Sequence, residues 1–127
     1  MATITEDYVS FETAKLLKEK AFDEVCYRIY DTKEGELLGT DGIEFQNHEA
    51  DEETITAPTL QMAMKWLREV HNLYIEICTD KAHNFKDIVF RPAIYNKDLN
   101  CLWESDNFST YEEACEAAIK YCLKHLI

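Results

Sequence analysis

From residue 58 onward the apolar residues follow one helical period, three stretches of alternation and a second helical period. That order restricts the chain to folds that lay helices against an antiparallel sheet. The spacing predicts a helix over 59–71 that opens at Pro58 and buries Leu60, Ala63, Met64, Leu67 and Val70, with Met62 and Trp66 as a second apolar edge. Asn72 ends it. Alternation predicts a strand over 73–78 with Leu73, Ile75 and Ile77 inward. A second strand, over 87–95, sets Ile88, Phe90 and Ile94 opposite Val89, Arg91, Ala93 and Tyr95. Pro92 cannot donate to a ladder, which predicts an edge or a bulge there. Asn96 to Asn100 read as a turn into a third strand over 101–105. The closing helix has two overlapping start signals, Ser109 with Glu112 and Thr110 with Glu113. Its small-residue face is Tyr111, Ala114, Cys115, Ala118 and Cys122.

The first half is thinner in signal. A helix over 10–21 is capped by Ser10 and turns Phe11, Ala14, Leu17 and Ala21 to one side. Residues 25–30 alternate as a strand, and Lys33-Glu34-Gly35 turns into a weak strand over 36–39. Ile43 and Phe45 read as a short strand or as two loop anchors. Residues 47–57 offer almost nothing to bury, so they read as a mobile acidic loop. Lys15 to Glu19 and Lys65 to Glu69 match in residue type, and each leads through a turn into an alternating strand. At 127 residues the chain has one ordinary core's worth of length. The expectation is a single α+β domain over 1–127: a first α/β unit (10–46), an acidic loop (47–57) and an αβββα unit (58–127). Its sheet is antiparallel, with three helices packed mainly on one face.

Charge narrows the function classes. Residues 31–57 hold nine carboxylates and one lysine, most of the chain's net charge of −12. Such a segment repels phosphate, which argues against nucleic acid and anionic membranes as partners. No apolar run approaches the roughly 20 residues of a spanning helix, and the N-terminus lacks the pattern of a signal peptide. Five cysteines with no CxxC pair read as reduced thiols, mostly buried. A cytoplasmic location is expected.

Helix, three strands, helix is also the order of the double-stranded RNA-binding domain. There the last helix begins with basic residues that meet phosphate; here it begins Tyr111-Glu112-Glu113, and RNA binding is set aside. His48, Glu49, Asp51, Glu52 and Glu53 could surround a hard cation, but the spacing and glycine of a calcium loop are absent. Cys122 and His125 make half of a zinc spacing without a second half. Three glycines form no dinucleotide or phosphate loop, and three serines lack a nucleophile-elbow context. No catalytic residue, cofactor or metal site is assigned. Trp66, Trp103, Tyr95 and Arg91 are interface-anchoring types, with the two tryptophans read as core and Trp103 in a central strand.

Tyr8 to Lys20, Ala57 to Asn72 and the closing Tyr111-Glu112-Glu113-Ala114 with Ala117 to Lys120 resemble an uncharacterised group of small proteins from gut bacteria and their phages. The resemblance implies a mobile-element origin and carries no activity. The reading from residues is a non-enzymatic cytoplasmic interaction or regulatory protein with an unidentified protein partner, and a homodimer through the final helix or an edge strand is one assembly it allows. Its contact residues are Glu49, Asp51, Glu52, Glu53, Arg91 and Tyr95. The alternatives are an inhibitor whose carboxylates mimic DNA phosphates on a basic host protein, and a small enzyme whose cysteine, histidine or carboxylate groups converge in space.

Overall fold

The computed structural model describes residues 4–127; residues 1–3, on which part of the signal-peptide reading rests, lie outside the described residues. The architecture is α+β, with three α-helices and two three-stranded antiparallel sheets. Two compact units meet in sequence between Met62 and Ala63.

In the first unit, α1 (Phe11–Glu19) begins where the Ser10 hydroxyl accepts the Thr13 amide at 3.2 Å. It buries Thr13, Ala14 and Leu17. Ala21 does not extend that face. It leaves the helix in the left-handed conformation (φ 67°), while the Ala21 and Phe22 amides return to Lys18 O and Leu17 O. This is the closing geometry that usually takes glycine. Strand β1 (Arg28–Asp31) is the centre of a sheet ordered β2-β1-β3, with β2 at Leu37–Gly39 and β3 at Thr54–Thr56. Tyr30 and Ile55 stand opposite each other and both are buried, and the Tyr30 hydroxyl donates to Val9 O at 2.6 Å. Gly35 closes the β1–β2 turn at φ 67°, and a Cβ there would meet the Phe11 ring at 3.0 Å.

The stretch over 47–57 is therefore not all loop. It contains a 3₁₀ turn (Asn47–Glu49) and β3. The anchor is Asn47, which is buried; its side-chain amide donates to Phe22 O at 2.8 Å and accepts from Thr56 N at 3.1 Å. A short apolar strand of one isoleucine between threonines has too little pattern to stand out, and its backbone pairing supplies what the side chains lack.

Helix α2 (Leu60–His71) runs from the end of the first unit into the second; it buries Ala63, Met64, Trp66 and Leu67, while Val70, expected inside, is 54% exposed. The Thr59 hydroxyl accepts the Met62 amide, so Thr59 rather than Pro58 opens the helix. Asn72 ends it in the left-handed conformation. Strands β4 (Tyr74–Lys81), β5 (Ile88–Tyr95) and β6 (Cys101–Glu104) form a sheet in that order. Pro92 lies in the central strand, not at an edge. Its carbonyl accepts from Ser105 N at 3.1 Å, so its nitrogen faces the end of β6, where a missing donor costs one ladder bond at the strand's terminus. The register shifts instead between Ile94 and Tyr95. Trp103 lies on the outer strand β6 and stacks on Tyr121, with ring centroids 4.7 Å apart.

Helix α3 (Tyr111–Tyr121) uses the second of its two start signals, the Thr110 hydroxyl accepting Glu113 N at 3.1 Å. Its buried face is Ala114, Cys115, Ala118 and Ile119, continued by Cys122 and Leu123 in a closing π turn, and it lies on β4 and β5. Tyr111 is at the exposed margin of that face. Both units begin helix then strand, but the first strand is central in one sheet and outer in the other, so the echo between them stops at local sequence. Among the described residues no helix is long and apolar enough to cross a membrane.

Candidate functional site: the open face of the second sheet

With α3 on one face of the β4-β5-β6 sheet, alternation sends Tyr74, Glu76, Cys78 and Asp80 to the other, with Val89, Arg91, Ala93 and Tyr95 across from them. The register sets Ala93 between Glu76 on one side and Glu104 on the other. A methyl group flanked along its strand by Arg91 and Tyr95 leaves a hollow, and a concavity of about 480 Å³ lies there. Glu76, Cys78, Arg91, Tyr95, Glu104 and Asp106 line it. Arg91 Nη1 is 2.9 Å from Asp80 Oδ2, so its charge is matched within the sheet. Glu76, Glu104 and Asp106 make no ion pair among the described residues, and the hollow is net negative. The Tyr95 hydroxyl registers this: Glu76 above all, then burial, with smaller contributions from Cys101, Glu104 and Cys78, holds its pKa above the ordinary 10.0.

Arg91 and Tyr95 thus belong to one surface. The acidic residues named with them, Glu49, Asp51, Glu52 and Glu53, belong to the other unit. Glu53 pairs with Lys33 at 3.1 Å, an exposed contact worth little. Asp51 Oδ1 accepts the Glu53 amide at 2.9 Å, the Asp51 carbonyl accepts from Lys18, and the Glu52 carbonyl accepts from Thr32. These groups shape the entry to β3. They do not converge on a common point.

One histidine–carboxylate pair does converge. His48 Nδ1 lies 2.7 Å from Asp23 Oδ2, and the His48 amide donates to Asp23 Oδ1 at 2.8 Å. That backbone hydrogen bond is the main reason the Asp23 carboxyl is held below its ordinary 3.8. The pair borders a depression of about 300 Å³ lined by Lys18, Ala21, Phe22 and Asn47. No serine, threonine or cysteine lines it, and Lys18 Nζ is taken by the carbonyls of Asp51 and Thr54. The geometry of the pair is that of a clip joining two turns.

Among the described residues no three histidine, cysteine, aspartate or glutamate side chains are grouped to hold a metal. Cys122 is buried and the His125 ring packs on Tyr121. Sequence reasoning missed Glu76, Cys78, Glu104 and Asp106. The two-residue spacing of Glu76, Cys78 and Asp80 already marks one outward strand face; that Glu104 flanks the same alanine follows only from the ladder register. No protein-family model matches the chain, and comparison with the curated proteins and with the solved structures returned no match.

Proposed function

We propose that the chain is a non-enzymatic interaction protein of the cytoplasm that receives a basic protein partner on the open face of the β4-β5-β6 sheet. The observation that carries this reading is the acid-lined hollow around Ala93 and Tyr95, built on paired strands rather than on a loop. Carboxylates without matching cations attract a lysine- or arginine-bearing segment and repel nucleic acid. The five thiols, three of them buried and none bridged, agree with a reducing compartment. An origin on a mobile element rests on the resemblance of residues 8–20, 57–72, 111–114 and 117–120.

The test is a titration with a synthetic peptide that alternates arginine and valine. Bound arginine offsets Glu76 and Glu104, so the Tyr95 phenol should ionise at lower pH in the complex than in the free protein, read from the Tyr95 ring resonances by NMR. Glu76→Gln and Glu104→Gln should each weaken binding, by about 0.2–1 kcal/mol for an exposed pair. Equal affinity for the double variant, or a Tyr95 titration that the peptide leaves in place, would sink the proposal.

A further inference from the structure

We infer that the partner enters as an added antiparallel strand on the outer edge of β4, an extended segment with a basic residue facing Glu76. The inference deepens the reading above and rests on it for the partner's charge. In an antiparallel pair each residue sends its N–H and its C=O to the same neighbour. Pro92 O accepts from Ser105 N, and Phe90 exchanges both bonds with Phe108. The even-numbered residues of β5 therefore face β6. The odd-numbered ones face β4 and meet Tyr74, Glu76, Cys78 and Asp80. Ile75, Ile77 and Thr79 turn their backbones the other way, and among the described residues those N–H and C=O groups have no hydrogen-bond partner. The same edge is closed at both ends, where Leu73 N donates to Leu67 O at 3.1 Å and Lys81 N to Asp80 Oδ1 at 2.8 Å.

An unpaired edge is a template for another strand unless it is shortened, bent or covered. Three outer strands are short: β2 and β3 have three residues each, and β6 has four with a shifted register. Strand β4 has eight residues in unbroken register. Chemistry selects its occupant. An incoming strand places alternate side chains beside Glu76 and Cys78 on the open face, and beside Ile75 and Ile77 on the other. Glu76 stands at a position where the facing side chains approach most closely, and it has no cation of its own among the described residues. A second copy of a chain with net charge −12 brings the wrong sign; an alternating basic and apolar segment brings the right one.

The experiment uses the full chain and two synthetic peptides: the arginine–valine alternator, and the same peptide methylated on the valine nitrogens that the edge would bond. Amide exchange is followed by NMR. The unmodified peptide should slow exchange at Ile75, Ile77 and Thr79, and methylation should weaken binding by about tenfold or more, one hydrogen bond's worth. Thr79→Pro removes an edge donor without touching the bonds to β5 and should weaken binding likewise; the exchange readout stands whether or not that variant folds. If both peptides bind equally and shift Tyr95 without protecting the three amides, the added strand is wrong and the acidic-face reading survives. If neither binds, both fall. If the free protein sediments as a dimer with those amides already protected, the edge belongs to a second copy and the inference is overturned.

Discussion

Thiol chemistry sorts the cysteines in a way their sequence positions do not. Burial pushes Cys26 and Cys115 up to about 11 and Cys122 up to about 12, so at neutral pH these sulfurs are protonated as well as covered. Cys78 and Cys101 are exposed, on the strands that flank β5. Strands two places apart in a sheet are roughly 9–10 Å apart, too far for a disulfide. A thiol reagent should therefore modify two of the five cysteines in the native protein and all five in denaturant; rapid native labelling of Cys115 or Cys122 would show that the α3 face opens. That most thiols would be buried was legible from residue type. Which ones are exposed depended on strand orientation: Cys78 stands at an outward position of an alternation whose inward set, Leu73, Ile75 and Ile77, was readable, whereas Cys101 follows a turn and takes its face from the shifted register beside Tyr95.

At the level of single elements, local signals were read well where a side chain acts on its own backbone. Ser10 and Thr110 cap the helices that begin beside them, because a hydroxyl three residues from an unpaired amide needs no tertiary help. The end of α1 is different. Ala21 occupies a left-handed position that nothing in its residue type announces, and the bonds from Ala21 N and Phe22 N to the last turn show it to be a true closing motif. Ala21→Gly should raise stability by about 0.5–1 kcal/mol, the cost of a Cβ in that conformation net of glycine's own entropy. Urea unfolding measures it; a loss of stability would mean that the methyl group's contacts outweigh the strain. Strand β3 escaped the sequence reading for a related reason: its pairing with β1 and the Asn47 hydrogen bonds hold it, and neither is local.

Across the whole molecule the dominant electrostatic fact is the net charge of −12. Exposed pairs such as Lys33–Glu53 and Arg91–Asp80 offset little of that repulsion. Raising ionic strength from about 0.01 M to about 0.1 M shortens the screening length from about 30 Å to about 10 Å. The urea midpoint should rise over that range, and a fall would show that specific ion pairs outweigh the general repulsion. Period, capping and composition were enough for the α+β class, the capped starts of α1 and α3, the order of elements from Pro58 onward and the acidity. That the strands form two sheets, that β3 completes the first, that Pro92 sits in a central strand and that Glu76 and Glu104 flank Ala93 emerges only in the folded chain. The physical reason is the strand ladder. Its bonds join residues far apart in the chain, and one residue's slip in register sends every side chain to the opposite face.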